Sequence, residues 1–356
     1  MTDFPSPLNP ETFLIRSLKY LGEDDEQGLL LYLTQHLKTY ESIFADFLVQ
    51  WFRDFCDRFP PESQLEIAQA LAQLGRLIQS LITPFNNDRY HICLICYELA
   101  LSQITQTTYP VNWAMLQRQL GKLHLLHTIP DLTSHFSSSD SCSSNRNGAS
   151  CTFSEEANGD AIEKAIVAYQ NALQVFTREA FPHEWAVLQN DLGGAYLKRL
   201  QGDRQNNLDT ALQCYRGSLE VFDRENTPED WAGSQNNLGN YYRERLRGDR
   251  SHNLETAINC YHQALTVLTR EAHPLAWAGI QMNLGDCYRD RLIHDRHENL
   301  SIAINYYLAA LQVYNREQWE EQWTLTHIKL EEALRDRQNL ANQLPLTQVL
   351  KRLWAS

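Results

Sequence analysis

Apolar positions return every third or fourth residue through most of the chain. Ala165, Tyr169, Ala172, Leu173 and Phe176 fall on one helical face, and Trp185, Leu188, Leu192 and Tyr196 on another. No periodic segment alternates in twos as a half-buried strand does, so the pattern predicts helices and no sheet. Self-comparison then fixes their order. Trp185, Trp231, Trp277 and Trp323 recur at an interval of 46 residues. Leu192, Leu238, Leu284 and Leu330 keep that interval, as do Tyr169, Tyr215, Tyr261 and Tyr307, and Arg178, Arg224, Arg270 and Arg316. Four columns in one register define a repeat of two helices.

The period continues upstream with one interruption. Trp113-Ala114, Leu120-Gly121 and Tyr97 precede their counterparts by 72 residues, one period plus 26. The surplus falls in a Ser-rich tract, residues 128–158, whose composition cannot bury enough apolar surface to offset its ordering entropy. It is expected to be a disordered insertion between helices. Leu74-Gly75 lies one period before Leu120-Gly121, and before about Pro60 the register blurs. The expected organisation is therefore an N-terminal helical cap or degenerate repeat over 1–60 and early repeats over 61–127. After the insertion come regular 46-residue repeats over 159–340 and a capping helix over 341–356.

Local signals set the expected boundaries. Asn207, Asn253 and Asn299 are read as N-caps, since Asn is a strong capping residue. Arg178 and its equivalents are placed in the last turn of the Tyr helix, where a cation suits the negative helix end. Pro182, Pro228 and Pro274 start the Trp-Leu helix. Gly193, Gly239 and Gly285 sit beside its apolar face, where a missing side chain lets a neighbouring helix approach. The next loop reads Gly202-Asp203-Arg204 and Gly248-Asp249-Arg250, departing to His294-Asp295-Arg296. Two such helices cannot bury an apolar face alone, whereas stacked copies can. The expected fold is an all-α solenoid of antiparallel helix pairs.

At 356 residues the chain exceeds what one core usually holds, which a repeat array accommodates. No apolar run approaches the length a membrane-spanning helix needs. The first residues lack the basic and apolar regions of a signal peptide, so no membrane insertion and a cytoplasmic location are expected. A formal net charge of -13 opposes phosphate neutralisation and argues against nucleic acid as a partner. Residues 159–356 prefer Arg to Lys, 17 to 4, which serves planar pairing at an interface or ion pairs between helices. Eight cysteines in such a chain are not a disulfide framework. Cys93 and Cys96 lie inside an apolar helical stretch; Cys214, Cys260 and Cys287 share repeat positions with Ala and Tyr, and all read as packing. His124 with His127, and His294 with His297, lack the further ligands of a metal set. No metal, cofactor or catalytic set is expected. Gln189, Gln235 and Gln281, near the apolar side, are read as a structural amide ladder, and the Trp column as core.

Leu192-Gly193-x-x-Tyr196 followed by Ala211-x-x-x-Tyr215-x-x-Ser218 resembles the tetratricopeptide repeat, here lengthened from the usual 34 residues. The string of Asn-Leu-Glu-Thr-Ala-Ile, Thr-Arg-Glu-Ala-His-Pro, Trp-Ala and Asn-Leu-Gly is similar to the extended arrays of bacterial signalling proteins, often fused to a caspase-like CHAT peptidase. The resemblance implies a right-handed superhelix and a non-enzymatic scaffold that binds a peptide or partner protein in a concave groove. That groove would be lined by the Leu-Gly helix on the face away from Leu and Tyr. Those positions are Asn190, Gly194 and Lys198; Asn236, Asn240, Arg243 and Glu244; and Met282, Asp286, Arg289 and Asp290. Asn side chains there would hold a peptide backbone, and Arg243 or Arg289 a carboxylate. Two other readings stand beside it: a regulatory or sensor subunit of a separately encoded effector such as a CHAT-type peptidase, and an enzyme with its site in residues 1–60.

Overall fold

The computed structural model describes residues 9–81, 87–126 and 149–342. Among the described residues the regular structure is thirteen α-helices, with no strand. They divide between two compact units. The first holds α1 (Pro10–Gly22), α2 (Glu26–Cys56), α3 (Pro61–Ser80), α4 (Asn87–Gln103), α5 (Pro110–Leu126), α6 (Ala149–Leu173) and α7 (Pro182–Lys198). The second holds α8 (Arg204–Leu219), α9 (Pro228–Glu244), α10 (Arg250–Leu265), α11 (Pro274–Asp290), α12 (Arg296–Leu311) and α13 (Glu320–Asn342).

Within each unit consecutive helices pack on one another, and from α3 onward odd-numbered helices also touch the next odd-numbered one. This is the contact pattern of an α-solenoid. The Trp-Leu-Gly segments are the odd helices (first helices below), and the Ala-Tyr segments are the even ones (second helices).

The Gly and Tyr columns explain the tight pairing. Tyr97, Tyr169, Tyr261 and Tyr307 are each no more than 1% exposed. Each ring lies across a glycine of the preceding first helix. A Cβ added to Gly75, Gly121, Gly239 or Gly285 would meet that ring at 3.0, 2.5, 2.6 or 2.5 Å. The glycines are thus the floor on which the tyrosines rest. The hydroxyls of Tyr97, Tyr261 and Tyr307 donate to Gln79 Oε1, Asn240 Oδ1 and Asp286 Oδ1 at 2.7, 2.7 and 2.8 Å. A buried phenol therefore keeps the hydrogen bond it needs.

The caps differ from the sequence expectation. Asp203, Asp249 and Asp295 are the N-caps of α8, α10 and α12, accepting from Asn206 N, His252 N and Glu298 N at 2.8, 2.6 and 2.8 Å. Asn207, Asn253 and Asn299 lie one turn inside and are buried. Asn253 and Asn299 instead donate back to the loop carbonyls of Arg247 and Ile293 at 2.9 and 2.8 Å. The loop decides between two good capping residues. Gly202 and Gly248 adopt φ of 79° and 86°, and this left-handed step delivers the next residue, Asp, to the cap. His294 makes the same step at φ 65° without glycine's freedom. Pro182, Pro228 and Pro274 open α7, α9 and α11, as their spacing predicts.

The Arg column is also elsewhere. α6, α8, α10 and α12 end at Leu173, Leu219, Leu265 and Leu311, so Arg178, Arg224, Arg270 and Arg316 lie beyond the last turn. Each guanidinium stacks over the Trp of the following first helix, 5.4–5.8 Å from the ring centroid. The tryptophans are half-buried rather than fully in the core: one face packs inward and the other carries an arginine. A second set repeats the device where first helices end, with Arg199, Arg245 and Arg291 over Tyr196, Tyr242 and Tyr288. Arg199 and Arg291 also hold Glu163 and Glu255 through two bonds each, at 2.6–2.8 Å. The surplus of Arg over Lys thus serves stacking and forked pairing inside the array.

Residues 9–60 form α1 and α2, whose aromatic contact centres on Phe13 against Tyr32, Tyr40 and Phe44. α2 reaches α3 and α4 as well, and a buried pair, Arg89 Nε to Glu41 Oε1 at 2.5 Å, ties it to α4. Helix α6 begins at Ala149, inside the tract expected to lack regular structure. The rest of that expectation, residues 128–148, lies outside the described residues, as does the expected capping helix beyond residue 342.

Candidate partner-binding face

In the second unit the positions named from the sequence lie on α9 and α11. They do not stand free: they bond to one another and to α13. Arg243 Nη1 donates to Asp286 Oδ2 at 2.7 Å and to Asn283 Oδ1 at 3.3 Å. Asn283 Nδ2 donates to Asn240 Oδ1 at 3.1 Å, and that oxygen also takes the Tyr261 hydroxyl. Asp286 accepts from Arg243, from Tyr307, and from Lys329 Nζ through both oxygens at 2.7 Å. Arg289 spans Glu332 and Asp336 of α13 at 2.5 and 3.1 Å. The Asp286 and Lys329 side chains are only 15% and 22% exposed, so these pairs are screened less than surface pairs.

The helix ends are tied as well. Glu244 pairs with Arg204. Arg250 and Arg296, the first residues of α10 and α12, donate to the carbonyls of Arg243 and Arg289 in the last turns of α9 and α11. Each places a cation at the negative end of a helix. Met282 is half-buried and accepts from Thr326 Oγ1 at 3.4 Å; Asp290 is exposed, 3.7 Å from Arg250.

Asn236 differs from its neighbours. Its Nδ2 reaches Asn237 Oδ1 only at 3.5 Å, and its Oδ1, shielded from solvent, has no hydrogen-bond partner among the described residues. Gln281 is buried, yet no hydrogen bond joins it to Gln235 among the described residues. The expected amide ladder is absent there.

In the first unit α7 carries Asn190 and Gly194, half-buried, and Lys198, exposed. One bond between first helices runs from Arg118 Nε on α5 to Asp191 Oδ2 on α7, 2.8 Å. Asn171 Nδ2 on α6 reaches the buried Gln117 Oε1 at 3.4 Å.

Sequence columns alone missed Arg118, Asp191, Asn283, Lys329, Glu332 and Asp336, because the bonding partners are not in one column. Their spacing carries a signal nonetheless. Arg243 to Asp286, Asn240 to Asn283, Asp286 to Lys329 and Arg289 to Glu332 are each 43 residues apart. That is one period less one helical turn. A scan for complementary polar residues at this offset would have found Asn283, Lys329 and Glu332, whereas Arg118–Asp191 and Arg289–Asp336, 73 and 47 residues apart, fall outside it.

The buried cysteines among the described residues are packing residues. Burial pushes the thiols of Cys96, Cys214 and Cys287 up to about 12 and that of Cys260 to about 11, away from thiolate chemistry. Buried His124 is hydrogen-bonded to the Tyr90 hydroxyl at 3.0 Å. No helix among the described residues is long and apolar enough to cross a membrane. No family model matches the chain, and a search of curated proteins finds no significant relative.

Proposed function

We propose that this chain is a non-catalytic interaction scaffold of tetratricopeptide type, whose first helices receive an extended segment of a partner protein. One observation carries the reading. The α9–α11–α13 face is held rigid by its own 43-residue bonds, and within it the Asn236 Oδ1 is left without a donor. The Asn236 residue is itself only half-buried, so turning its amide outward would offer that oxygen to a main-chain N–H of a bound segment. Pre-bonded Arg243, Asp286 and Lys329 would form the walls of the groove rather than its free contacts. The expectation that Arg243 or Arg289 takes a ligand carboxylate is weakened, since each already holds carboxylates of the chain.

The test is affinity capture by the full chain from an extract of its native cells. Asn236→Arg fills the face with a longer cation, and Asn236→Leu, close in size, removes the acceptor oxygen. A partner held by the native chain is expected to be lost with both variants while helicity is unchanged. Undiminished recovery with both would refute the reading. Identification of the captured protein as a peptidase of the CHAT type would support the regulatory-subunit form of the same proposal, which rests on the repeat string described above.

A further inference from the structure

α2 carries an aromatic ridge that α1 is too short to cover. Ile43, Phe47, Trp51, Phe55 and Phe59 recur every fourth residue, so they follow one another along one ridge of the helix. Trp51 stacks on Phe55 at 5.4 Å, and Phe55 on Phe59 at 4.3 Å. Phe59 lies past the helix end but keeps its register. Its N–H donates to the Phe55 carbonyl at 3.1 Å, and its own carbonyl accepts from Gln64 Nε2 at 2.6 Å. Ile43 and Phe59 are 50% and 47% exposed, and the three rings between them are half-buried. α1 has 13 residues against 31 in α2, and its aromatic contacts, made by Phe13, reach no farther than Phe44 among the described residues. Contiguous apolar surface of this kind marks an interaction site.

The chain that precedes α1 starts beside this ridge. Asn9, the N-cap, accepts from the Phe13 N–H, and Phe13 lies on Phe44. Asn9 has φ −72° and ψ 160°, close to polyproline II, so the chain enters the helix in that conformation. Residues 1–8 read Met-Thr-Asp-Phe-Pro-Ser-Pro-Leu. Pro5 and Pro7 fix their own φ near the same value, and Phe4 and Ser6, each before a proline, are biased to extended backbone. At three residues per turn Phe4, Pro7 and Pro10 share one edge, Pro5 and Leu8 a second, and Asp3, Ser6 and Asn9 the third. Two edges are apolar and one is polar, the pattern of a polyproline strand laid on an apolar surface. At about 3.1 Å per residue Phe4 can stand about 15 Å from Asn9, and Phe47 to Phe55 is about 12 Å of helix. Aromatic-lined surfaces are where polyproline segments dock.

We propose that residues 1–8 are the occupant of this ridge. They lie along Phe47, Trp51 and Phe55 as a polyproline II strand, with Phe4 and Pro7 on the rings and Asp3 and Ser6 toward solvent. The ridge is thereby a polyproline site filled by the chain's own N-terminal segment. This inference does not rest on the partner-binding reading of α9 and α11.

Two measurements on the full chain test it. The first places the photoreactive p-benzoylphenylalanine at position 4. Irradiation is expected to yield a cross-link at monomer mass, to a fragment within residues 43–59. The second uses chain labelled with 5-fluorotryptophan, the Trp51 resonance being assigned by its loss in Trp51→Phe and Trp113 of the same unit serving as reference. In a variant combining Phe4→Ser, Pro5→Gly and Pro7→Gly, the H2O/D2O isotope shift of Trp51 should rise towards that of free 5-fluorotryptophan, while Trp113 is unchanged. A synthetic peptide of residues 1–9 should reverse the rise saturably, and at the same concentration leave the native chain unaffected because its ridge is filled.

A Trp51 signal identical in native and variant chains would overturn the proposal, as would a cross-link outside α2 and its end. Cross-links between two chains, or a Trp51 signal that moves on dilution, would assign the ridge to a second copy instead. A peptide acting equally on both chains would show a ridge left open for another protein, which also refutes occupation by residues 1–8.

Discussion

Two glycines of the same helix should respond to alanine with opposite signs. In α9, a Cβ on Gly233 would meet nothing within 4 Å, whereas one on Gly239 would lie 2.6, 2.9 and 3.0 Å from Tyr261 Cε1, Cδ1 and Cζ. Helix propensity alone favours alanine by about 0.8–1.0 kcal/mol at either site. Gly233→Ala should therefore stabilise by up to that amount. At Gly239 the clash is with a ring that is 0% exposed and cannot swing into solvent. Over-packing of this kind costs roughly 1–3 kcal/mol, and displacing the ring also strains its bond to Asn240, worth about 0.5–1.5 kcal/mol. Subtracting the propensity gain leaves Gly239→Ala destabilised by about 1–3 kcal/mol. Urea unfolding of both variants, followed by circular dichroism, reads the difference directly. If both alanines stabilise, the glycine column does not exist to admit the tyrosine, and the explanation for helix pairing fails.

Trp231→Ala should cost about 2–3 kcal/mol, below the range for a fully buried aromatic because the ring is half-exposed; Arg224→Ala, which removes only the stacked cation, should cost about 0.5–1 kcal/mol. Equal losses in chemical denaturation would show that the ring acts only through the arginine. Arg243→Ala should destabilise by about 1.5–3 kcal/mol, as loss of charged hydrogen bonds does, and a change within experimental error would mean the 43-residue bonds do not hold the face. His294→Gly should raise stability by about 0.5–1 kcal/mol, since a non-glycine residue in the left-handed region costs roughly 1–2 kcal/mol and glycine's freedom in the unfolded chain returns part of that; a lower melting temperature would contradict it. Stability should also fall as pH rises above 9. The buried thiols of Cys96, Cys214 and Cys287 stay neutral in the folded chain to about 12 while unfolded thiols ionise near 9.0, so the unfolded state is favoured across that window. In Cys214→Ala the slope of unfolding free energy against pH should be shallower, and an unaltered slope would refute the assignment.

Much of the architecture is written in columns. Trp, Leu, Gly and Tyr at a fixed interval report contacts between neighbouring copies, and the structure has those contacts where the columns place them. What the columns hide is chemistry decided by loop geometry or by offsets between columns. Asp203 and Asn207 are both good capping residues, and only the left-handed Gly202 between helices tells which of them caps. Arg178 and Trp185 are seven residues apart, too far for a helical neighbour rule, because a turn and a proline bring them together. The positions expected to line a groove were legible as a face but not as bonded pairs. Arg243 looked available because its partners, Asp286 and Asn283, belong to other columns. Residues 9–60 carry no period, so the Glu41–Arg89 pair that ties α2 to α4 had no sequence signature.

The bonds that run 43 residues forward give the array a grammar rather than a mere count. Leu197, one period before Arg243, and Arg289, one period after it, are not copies of one another in what they offer the next helix. Asp286 reads Arg243 on one side and Lys329 on the other, and each reads back only its own neighbour. Excising one 46-residue unit would keep every hydrophobic column in register and still set an uncharged leucine where Asp286 requires a cation. Copies of this repeat are therefore not interchangeable parts. Their order is as much a specification of the protein as their number, and shuffled or shortened versions should assemble their apolar faces while leaving polar groups without counterparts at the new junction.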